Sequence, residues 1–342
     1  MSLFNFFTEE IAIDLGTANT LIIHNDKVVV DQPSIVAIDR ITGKVKAVGA
    51  RAMLMHEKTH SDIKTIRPLK DGVIADFHAA EIMIREMIKM IYEGKRKPLF
   101  PPSYKMVICI PSGITEVEKR AVKDSAENSG GKEVKMIHEP MAAAIGIGID
   151  VEEPSGNMII DIGGGTTEIA VISLSGIVGD QSIRIAGDEF TANIVNYMRR
   201  QHNMMIGERT AEKIKINIGA ALTELEHPPE DYPVNGRDLM TGIPKQIIVT
   251  YSEVAHAIDK SISKIEEAIL KALETTPPEL AADIYKTGLY LTGGGALLRG
   301  LDKRISAKTK LPVHVADDPL RAVVRGTGIA LKKMDQFTFL MD

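Results

Sequence analysis

Two stretches of the chain share a pattern of residues that is suited to binding phosphate groups. "IAIDLGTANTLII" begins at residue 11 and "IIDIGGGTTEIAVIS" at residue 159, and each sets an Asp, then glycine and threonine, between two apolar runs. Backbone N–H groups in a tight glycine turn can surround a phosphate, and threonine hydroxyls add further donors. An acid beside phosphates would repel them unless a Mg²⁺ ion lay between the two. The pattern therefore predicts a magnesium–phosphate site.

The residue types assign roles within these stretches. Asp14 and Asp161 are the predicted metal-side carboxylates. A third glycine turn, Gly293 to Gly295, follows a predicted strand, and we expect a helix to begin near Ala296 with its N-terminus directed at the phosphates. One such run alone would more simply be a tight hairpin in which the Asp caps the turn. Three runs in one chain favour a nucleotide site. The predicted donors are Gly16, Thr17, Asn19, Gly163, Gly164, Gly165, Thr166 and Thr167.

The elements that must position these turns are strands and helices in alternation. Each Asp ends the first strand of a predicted β meander, and helical patterns follow both meanders. One long stripe, with Val254, Ile258 and Ile262 at helical spacing, predicts a helix from Ser252. The repeat predicts an α/β protein of two similar lobes with mixed sheets, in which both turns face one cleft.

Composition limits the classes of function. The chain has 342 residues, enough for two domains, and a net charge of −5, which argues against a general nucleic-acid binder. Its single cysteine, Cys109, excludes an intrachain disulfide, suits the cytoplasm, and is most simply a small core residue. No apolar run approaches the roughly 18 residues of a membrane span.

Two segments have the composition of a membrane contact. In "GKRKPLFPPSY", which begins at residue 94, three basic residues adjoin an apolar pair in a Pro-rich loop, and this favours an anionic membrane surface over a plain exposed loop. The N-terminal "MSLFNFFTEE" is apolar but lacks Lys and Arg, which favours a frayed or tucked terminus over a membrane-touching helix. The candidate membrane residues are Leu3, Phe4, Phe6, Phe7, Leu99 and Phe100.

Five motifs together resemble a known superfamily. "IDLGTANTLI", "RPLKDGVIADF", "IHEPMAAAIG", "DIGGGTTEIAVIS" and "LTGGGALLRGLD" are similar to those of the actin, sugar kinase and heat-shock chaperone ATPases, and within that group to the bacterial actin homologue MreB family. The resemblance covers about residues 9 to 334. It implies an actin-like two-lobed ATPase in which each lobe is an RNase H-like mixed five-stranded sheet flanked by helices, with small inserted subdomains.

The resemblance also implies a division of the chain into four parts. The lobe I core (IA) takes 1–31, 70–144 and 319–342, and the small subdomain IB takes 32–69. The lobe II core (IIA) takes 145–180 and 246–318, and the small subdomain IIB takes 181–245.

The site residues that the resemblance implies extend those found from residue types. Glu139 matches the acid that orients the attacking water, with Thr166 beside it, although Glu139 could equally be a helix-cap acid before Pro140. Glu212 and Lys215 match residues that hold the ribose and adenine, although such a pair is more often solvated. Ala186 stands where the family often has Gly. The remaining nucleotide contacts are Thr17, Ala18, Asn19, Gly163, Gly164, Gly165, Asp188, Gly294, Gly295, Ala296 and Leu297.

The resemblance implies a function as well. It implies a polymerising cytoskeletal protein whose membrane-associated filaments organise cell-wall synthesis and maintain rod shape, with slow hydrolysis of ATP, or of GTP, with Mg²⁺. The expected partners are other copies of the chain, the inner membrane surface and wall-elongation proteins such as RodZ and MreC, and no nucleic acid. The expected location is the cytoplasm at the inner face of the cell membrane. The alternatives are a small-molecule kinase and a chaperone-type ATPase with the same nucleotide site.

Overall fold

The computed structural model describes residues 8–93 and 102–342. They divide into two compact units. The predicted membrane residues Leu3, Phe4, Phe6, Phe7, Leu99 and Phe100 lie outside the described residues. The first unit takes residues up to 154 with 172–177 and 320–342, and the second takes 155–171 and 178–319.

The strands occur in two long series along the chain. Those of the first series are β1 Thr8–Leu15, β2 Asn19–His24, β3 Lys27–Pro33, β4 Val36–Asp39, β5 Val45–Val48, β6 Ile63–Ile66, β7 Leu69–Lys70, β8 Val73–Ile74, β9 Ser103–Ile110 and β10 Gly131–His138. Those of the second are β11 Asn157–Ile162, β12 Thr167–Ser173, β13 Gly176–Ile183, β14 Met204–Met205, β15 Tyr232–Asp238, β16 Pro244–Val249, β17 Leu289–Thr292 and β18 Val313–Val315.

The helices alternate with these strands. They are α1 Ala50–Met55, α2 Phe77–Met90, α3 Glu116–Asn128, α4 Glu139–Gly146, α5 Gly187–Gln201, α6 Glu208–Ile218, α7 Tyr251–Thr275, α8 Pro278–Thr287, α9 Leu301–Thr309 and α10 Ala322–Lys332. Short 3₁₀ turns span Gly294–Leu297 and Pro319–Arg321.

Both main sheets have five strands in the same spatial arrangement. The first has the order β10-β9-β1-β2-β3, and the second, read from its far edge, has the order β18-β17-β11-β12-β13. In the first, β1, β2 and β3 form an antiparallel meander while β9 and β10 run parallel to β1. In the second, β11, β17 and β18 are likewise parallel. The predicted duplication of a mixed sheet is therefore confirmed, and β9 in the first sheet corresponds to β17 in the second.

Local sequence signals explain why the helices form where they do. Thr115 and Glu118 form a reciprocal capping box at the start of α3, and Thr250 and Glu253 form another at the start of α7. The predicted stripe on α7 is buried, since Ile258 and the apolar residues that follow it at helical spacing are 0% exposed.

Smaller sheets accompany the main ones. Strands β5, β4 and β6 form one three-stranded sheet, and β14, β15 and β16 form another. They fall mostly within the stretches predicted as subdomains IB and IIB, and this supports the four-part division, which stays a prediction. Within residues 8–93 and 102–342, no helix has the length and apolar character that a membrane crossing requires.

Helices α4 and α10 pack with their backbones in contact. A Cβ added at Gly326 would collide with the carbonyl oxygen of Ala142, and one added at Gly146 would collide with that of Ala322. Each helix therefore presents a small residue and, four positions later, a glycine to its partner. Because the obstacle is backbone, it cannot rotate away as a side chain would.

Replacement of Gly326 by alanine should destabilise the first unit strongly. We expect Gly326→Ala to cost about 3 kcal/mol, because α4 and α10 must separate to admit a methyl group. Thermal unfolding followed by circular dichroism measures the loss. The matched control is Gly328→Ala on the same helix, where the nearest atoms to the new Cβ belong to the Ile23 side chain, the closest at 3.1 Å, and not to backbone. This control should stay within about 1 kcal/mol of the parent. Equal melting temperatures for the two variants would contradict the packing argument.

Candidate functional site

The first glycine turn joins β1 to β2 and is fixed by its own backbone. A Cβ at Gly16 would lie 2.6 Å from the carbonyl oxygen of Asn19, so glycine is required there. Ser34 donates from Oγ to the Gly16 carbonyl at 2.6 Å, and its N–H donates to the Ala18 carbonyl at 2.9 Å. Ser34 is buried, directly follows β3, and fixes the turn through these two hydrogen bonds. The predicted contacts Thr17, Ala18 and Asn19 are thus held in one short rigid segment.

The Thr17 hydroxyl accepts a hydrogen bond from the neighbouring hairpin. The N–H of Gly72 donates to Thr17 Oγ1 at 3.0 Å, so this oxygen acts as an acceptor toward the β7–β8 hairpin. Asp71 and Gly72 both have positive φ and form the tight turn of that hairpin. A hydroxyl that accepts one hydrogen bond still has a proton to donate, and this suits Thr17 to the predicted contact with a phosphate oxygen.

The side chains of Asp14, Cys109 and Glu139 lie together at the carboxyl ends of β1, β9 and β10. Cys109 Sγ donates to Asp14 Oδ1 at 3.1 Å, and the charges of Asp14 and Glu139 both act on the Cys109 thiol. Glu139 is the first residue of α4, where a carboxylate interacts favourably with the helix dipole. The first unit thus brings together a predicted metal-side acid and the predicted water-orienting acid.

Burial changes the acidity of this cluster. Desolvation raises the pKa of Asp14 from 3.8 to about 6, the Cys109 hydrogen bond opposes the rise, and the charge of Asp31 adds to it. Desolvation, with the Asp14 charge second, raises the pKa of the Cys109 thiol well above its ordinary value. A thiol in this state is a poor nucleophile, in agreement with the prediction of a core cysteine.

The second glycine turn, between β11 and β12, is anchored by the start of helix α5. The N–H of Gly187 donates to the Gly163 carbonyl at 3.1 Å, and the N–H of Asp188 donates to the Gly164 carbonyl at 2.8 Å. In a trans peptide the C=O of one residue and the N–H of the next point in opposite directions. The N–H groups of Gly164 and Gly165 therefore point away from α5 as a pair, which is the arrangement of an anion-binding nest.

The two threonines that follow this turn differ in role. Thr167 donates from Oγ1 to the Ile185 carbonyl at 2.7 Å, so its hydroxyl serves the fold rather than a ligand. Thr166 is the last residue before β12, and its carbonyl accepts from the Gly163 N–H at 2.9 Å to close the turn. Of the two, Thr166 is therefore the better candidate for a contact with the nucleotide.

The third glycine turn packs on the end of β11. Thr292 Oγ1 donates to Asp161 Oδ1 at 2.9 Å, and a Cβ at Gly293 would lie 2.6 Å from the same oxygen. A Cβ at Gly295 would collide with the Ile162 side chain. Gly293 also has a positive φ of 77°. Two of the three glycines are thus required by contact with β11, whereas Gly294 is exposed.

The prediction of a helix from Ala296 is wrong. Residues Gly294–Leu297 form a 3₁₀ turn, and helix α9 begins only at Leu301. Leu298 is extended and Gly300 is left-handed with a φ of 75°, so the chain must turn once more before a helix can start. Ala296 is buried in the core and Leu297 is 55% exposed, so the two predicted pocket residues have different surroundings.

Glu212 and Lys215 form an ion pair that also makes hydrogen bonds to helix α5. Lys215 Nζ lies 2.7 Å from Glu212 Oε2 and donates to the Gly187 carbonyl at 2.9 Å, at the start of α5. The Thr191 hydroxyl lies 2.6 Å from the same Glu212 oxygen. Since Gly187 also holds the Gly163 carbonyl, the Lys215 ammonium group lies beside the second glycine turn.

The departure from the family pattern at Ala186 has no structural cost. Ala186 precedes α5 with a φ of −161°, an extended conformation that any residue adopts. Asp188 follows it in the first turn of α5. The second unit therefore brings together the predicted contacts from the glycine turn, α5 and α6.

The donor set suits a magnesium ion that arrives with phosphates. In the part of the chain that the structure describes, no group of three or more His, Cys, Asp or Glu side chains could hold a metal ion by itself. Mg²⁺ usually binds through one or two carboxylates plus substrate phosphates and waters, rather than in an all-protein cage. Each unit carries one carboxylate of this kind beside a glycine turn, Asp14 in the first unit and Asp161 in the second.

The duplicated five-stranded sheets and their acid-and-glycine turns define an actin-like protein. A sequence model of the MreB/Mbl protein family matches residues 8–338. The chain is 47% identical over 331 residues to the cell shape-determining protein Mbl of Bacillus subtilis strain 168, covering 96% of this chain and 98% of that protein. The chain therefore belongs to the MreB/Mbl family of actin-like, filament-forming cell shape proteins.

Solved structures agree with this family. The crystal structure of MreB5 of Spiroplasma citri bound to AMPPNP is similar with a TM-score of 0.89 and 38% identity, over 96% of this chain and 97% of that chain. A second crystal structure of MreB5 is bound to ADP. The MamK double helical filament is similar with a TM-score of 0.77 at 22% identity, over 96% of this chain and 99% of that chain, and it supports the fold alone.

Several residues that shape the site were not among the predicted site residues. Ser34, Gly72, Thr191 and Thr292 contact predicted site residues, yet only Gly72 and Thr292 fall inside a quoted motif. Thr292 directly precedes the third glycine turn, and that position is the one sequence feature that could have indicated its role. Ser34 and Thr191 carry none, because their partners lie 18 and 21 residues away in the chain.

The raised pKa of Asp14 predicts a pH dependence of stability without nucleotide and metal. The folded state holds the proton up to about pH 6, whereas the unfolded state loses it near 3.8, so stability falls as pH rises between these values. Asp14→Asn removes this loss and should stabilise the protein at pH 7.5 by up to about 3 kcal/mol, with no gain near pH 4. Thermal unfolding in EDTA measures the difference. Asp124→Asn, at a partly exposed site on α3, is the control and should melt close to the parent protein at both pH values. A destabilised Asp14→Asn protein at pH 7.5 would contradict the cause assigned here.

Proposed function

We propose that this protein binds ATP with Mg²⁺, assembles into filaments and hydrolyses the nucleotide slowly within them. The two acid-and-glycine turns would contact one nucleotide, with Asp14 and Asp161 on its hydrated metal ion. The filaments would organise cell-wall synthesis and maintain rod shape. GTP is the alternative nucleotide, since the backbone nests read phosphates rather than the base.

The observation that carries the proposal is the duplicated turn. In each unit an Asp ends the first strand, a glycine turn follows, and other parts of the same unit fix the peptide groups of that turn. Such fixed backbone donors stabilise phosphate charge at no cost of reorganisation. The AMPPNP and ADP of the MreB5 structures support the same ligand class for this chain.

Hydrolysis would depend on positioning a water molecule. Glu139 is the candidate, because it begins α4 beside the strand ends that carry Asp14 and Cys109. Thr166 would assist from the second turn. Bound Mg²⁺ would neutralise developing charge on the phosphate oxygens. Phosphoryl transfer needs little covalent chemistry from a protein, so one orienting acid with fixed donors is a sufficient set.

Membership of the filament-forming MreB/Mbl family supports assembly over the kinase and chaperone alternatives. The fold of this chain is one from which a double helical filament is built. Nucleotide would promote assembly by binding the assembling conformation more tightly than the free one.

Assembly and hydrolysis should separate in a Glu139 variant. The parent protein should form sedimentable polymer with ATP and Mg²⁺, with light scattering that rises above a threshold protein concentration. Glu139→Ala should bind ATP and assemble but release phosphate at least about tenfold more slowly, because the attacking water loses its orienting acid. Calorimetry measures binding, and a coupled phosphate assay measures turnover.

The matched control for this experiment is Glu133→Ala, at an exposed position on β10 of the same unit, which should keep full turnover. Unchanged phosphate release by Glu139→Ala would remove Glu139 from its role. Failure of the parent protein to assemble across salt conditions and on lipid would overturn the filament proposal.

Membrane association would place the filaments at the inner face of the membrane, where RodZ and MreC are the expected partners. The described residues that adjoin the two candidate segments lie side by side. Thr8, which follows the N-terminal segment, is in register with Ser103, which follows the loop segment. Tyr92, which precedes the loop, donates from its hydroxyl to Glu9 Oε2 at 2.5 Å. The described residues next to the two segments therefore lie together at the N-terminal ends of β1 and β9, and this supports a single lipid-binding surface.

Lipid binding should depend on the apolar residues of both segments. Deletion of residues 1–7 together with Leu99→Ser and Phe100→Ser should abolish co-sedimentation with vesicles that contain anionic lipid, because the apolar contacts are lost. The control variant carries Met240→Ser, at an exposed position of the β15–β16 turn, and should bind like the parent. Undiminished binding after the combined change would refute both segments as anchors.

A further inference from the structure

The two predicted metal-side acids accept the same kind of hydrogen bond at corresponding positions of the two sheets. Asp161 is in register with Thr292 on the neighbouring parallel strand β17, and Thr292 Oγ1 donates to Asp161 Oδ1 at 2.9 Å. Asp14 lies one position beyond the register pair Ile13–Ile108 on β1 and β9, opposite Cys109. Cys109 Sγ donates to Asp14 Oδ1 at 3.1 Å.

Sheet topology makes these two contacts equivalent. Strand β9 neighbours β1 as β17 neighbours β11, in the same five-strand order. Thr292 is 0% exposed and Cys109 is 2% exposed, so neither donor has a water molecule as an easy alternative partner. In each sheet the donor therefore lies beside the first-strand acid because of strand register and not because of a flexible loop.

We propose that Cys109 and Thr292 are positioning residues that fix the rotation of the Asp14 and Asp161 carboxylates for the hydrated Mg²⁺ of the bound nucleotide, an inference that rests on the proposed function. Each donor holds Oδ1 of its carboxylate and so limits the rotation of that carboxylate. Residues that orient a metal-side group in this way commonly change metal affinity by about 10- to 100-fold when they are removed.

The two donors differ in strength, and this predicts an asymmetry between the units. A hydroxyl is a good hydrogen-bond donor, whereas a thiol is a weak one. Thr292 should therefore hold Asp161 more firmly than Cys109 holds Asp14. Loss of the Thr292 hydroxyl should be the more damaging of the two changes, and serine should substitute for either residue.

The test measures how much Mg²⁺ tightens AMPPNP binding, by calorimetry in Mg²⁺ and in EDTA below the assembly concentration. Thr292→Val keeps the side-chain shape and should lose about tenfold of the tightening, while affinity in EDTA stays within about twofold. Cys109→Ala should lose about threefold. Thr292→Ser and Cys109→Ser should stay within about twofold of the parent. Thr327→Val, which removes an equally buried hydroxyl from α10, is the control and should change nothing.

An Asp161→Asn variant separates failure of this inference from failure of the proposed function. Loss of the Mg²⁺-dependent tightening in Asp161→Asn but not in a folded Thr292→Val protein would overturn the positioning role alone. Retention of the tightening in both variants would overturn the proposed metal site, and the positioning role with it. Loss in both variants, with rescue by Thr292→Ser, is the expected result.

A second measurement needs no change at the cysteine. Because Cys109 is the single cysteine of the chain, the infrared S–H stretching band of the protein reports this one thiol. A hydrogen bond to a carboxylate weakens the S–H bond and lowers its frequency. The band should move to higher frequency in Asp14→Ala, and it should move in the parent protein when Mg²⁺ is added with AMPPNP. A band that is unmoved by both changes would overturn the role of Cys109.

Discussion

A carboxylate at the end of the first strand, half-buried for Asp14 and buried for Asp161, is the constraint around which each unit is organised. Such a group is costly to bury unless donors surround it. In the second unit the Thr292 hydroxyl and the glycine turn that follows it are packed against Asp161. In the first unit the donor is only a thiol, and the pKa of Asp14 rises to about 6. Desolvation is the main cause of that rise, and the hydrogen bond from the thiol offsets only part of it.

The second and third glycine runs look alike in the sequence but have different structural roles. Gly164 and Gly165 lie in a turn whose carbonyls accept hydrogen bonds from α5. These bonds set the direction in which the N–H groups of the two glycines point. Gly293 and Gly295 are glycines because a Cβ would strike β11. A motif search scores both runs as phosphate loops. Only the packing shows that the third turn closes over the strand that carries Asp161.

Much of the fold follows from local pattern. The α7 stripe is a short-range signal, and the structure confirms it. The capping boxes at Thr115 and Thr250 are likewise formed by residues close together in the sequence. The start of α9 at Leu301 was missed, because Leu298 is extended and Gly300 is left-handed. A Cβ at Gly300 would lie 3.0 Å from Leu222 and 3.1 Å from Leu225, which are far earlier in the sequence. Ser34 and Thr191 were missed for the same reason: their partners are close in space, whereas sequence periodicity reports only near neighbours.

Helix α5 determines which groups remain for a phosphate. The first N–H groups of a helix often bind anions directly. Here those of Gly187 and Asp188 are used by the carbonyls of the glycine turn, and the Gly187 carbonyl in turn receives the Lys215 ammonium group. The helix therefore acts indirectly. Its hydrogen bonds to the turn orient the N–H groups of Gly164 and Gly165, and its Gly187 carbonyl fixes the Lys215 ammonium group beside them. Lys215, Glu212 and the second glycine turn are connected through Gly187, so a change in that turn must also alter the surroundings of Lys215.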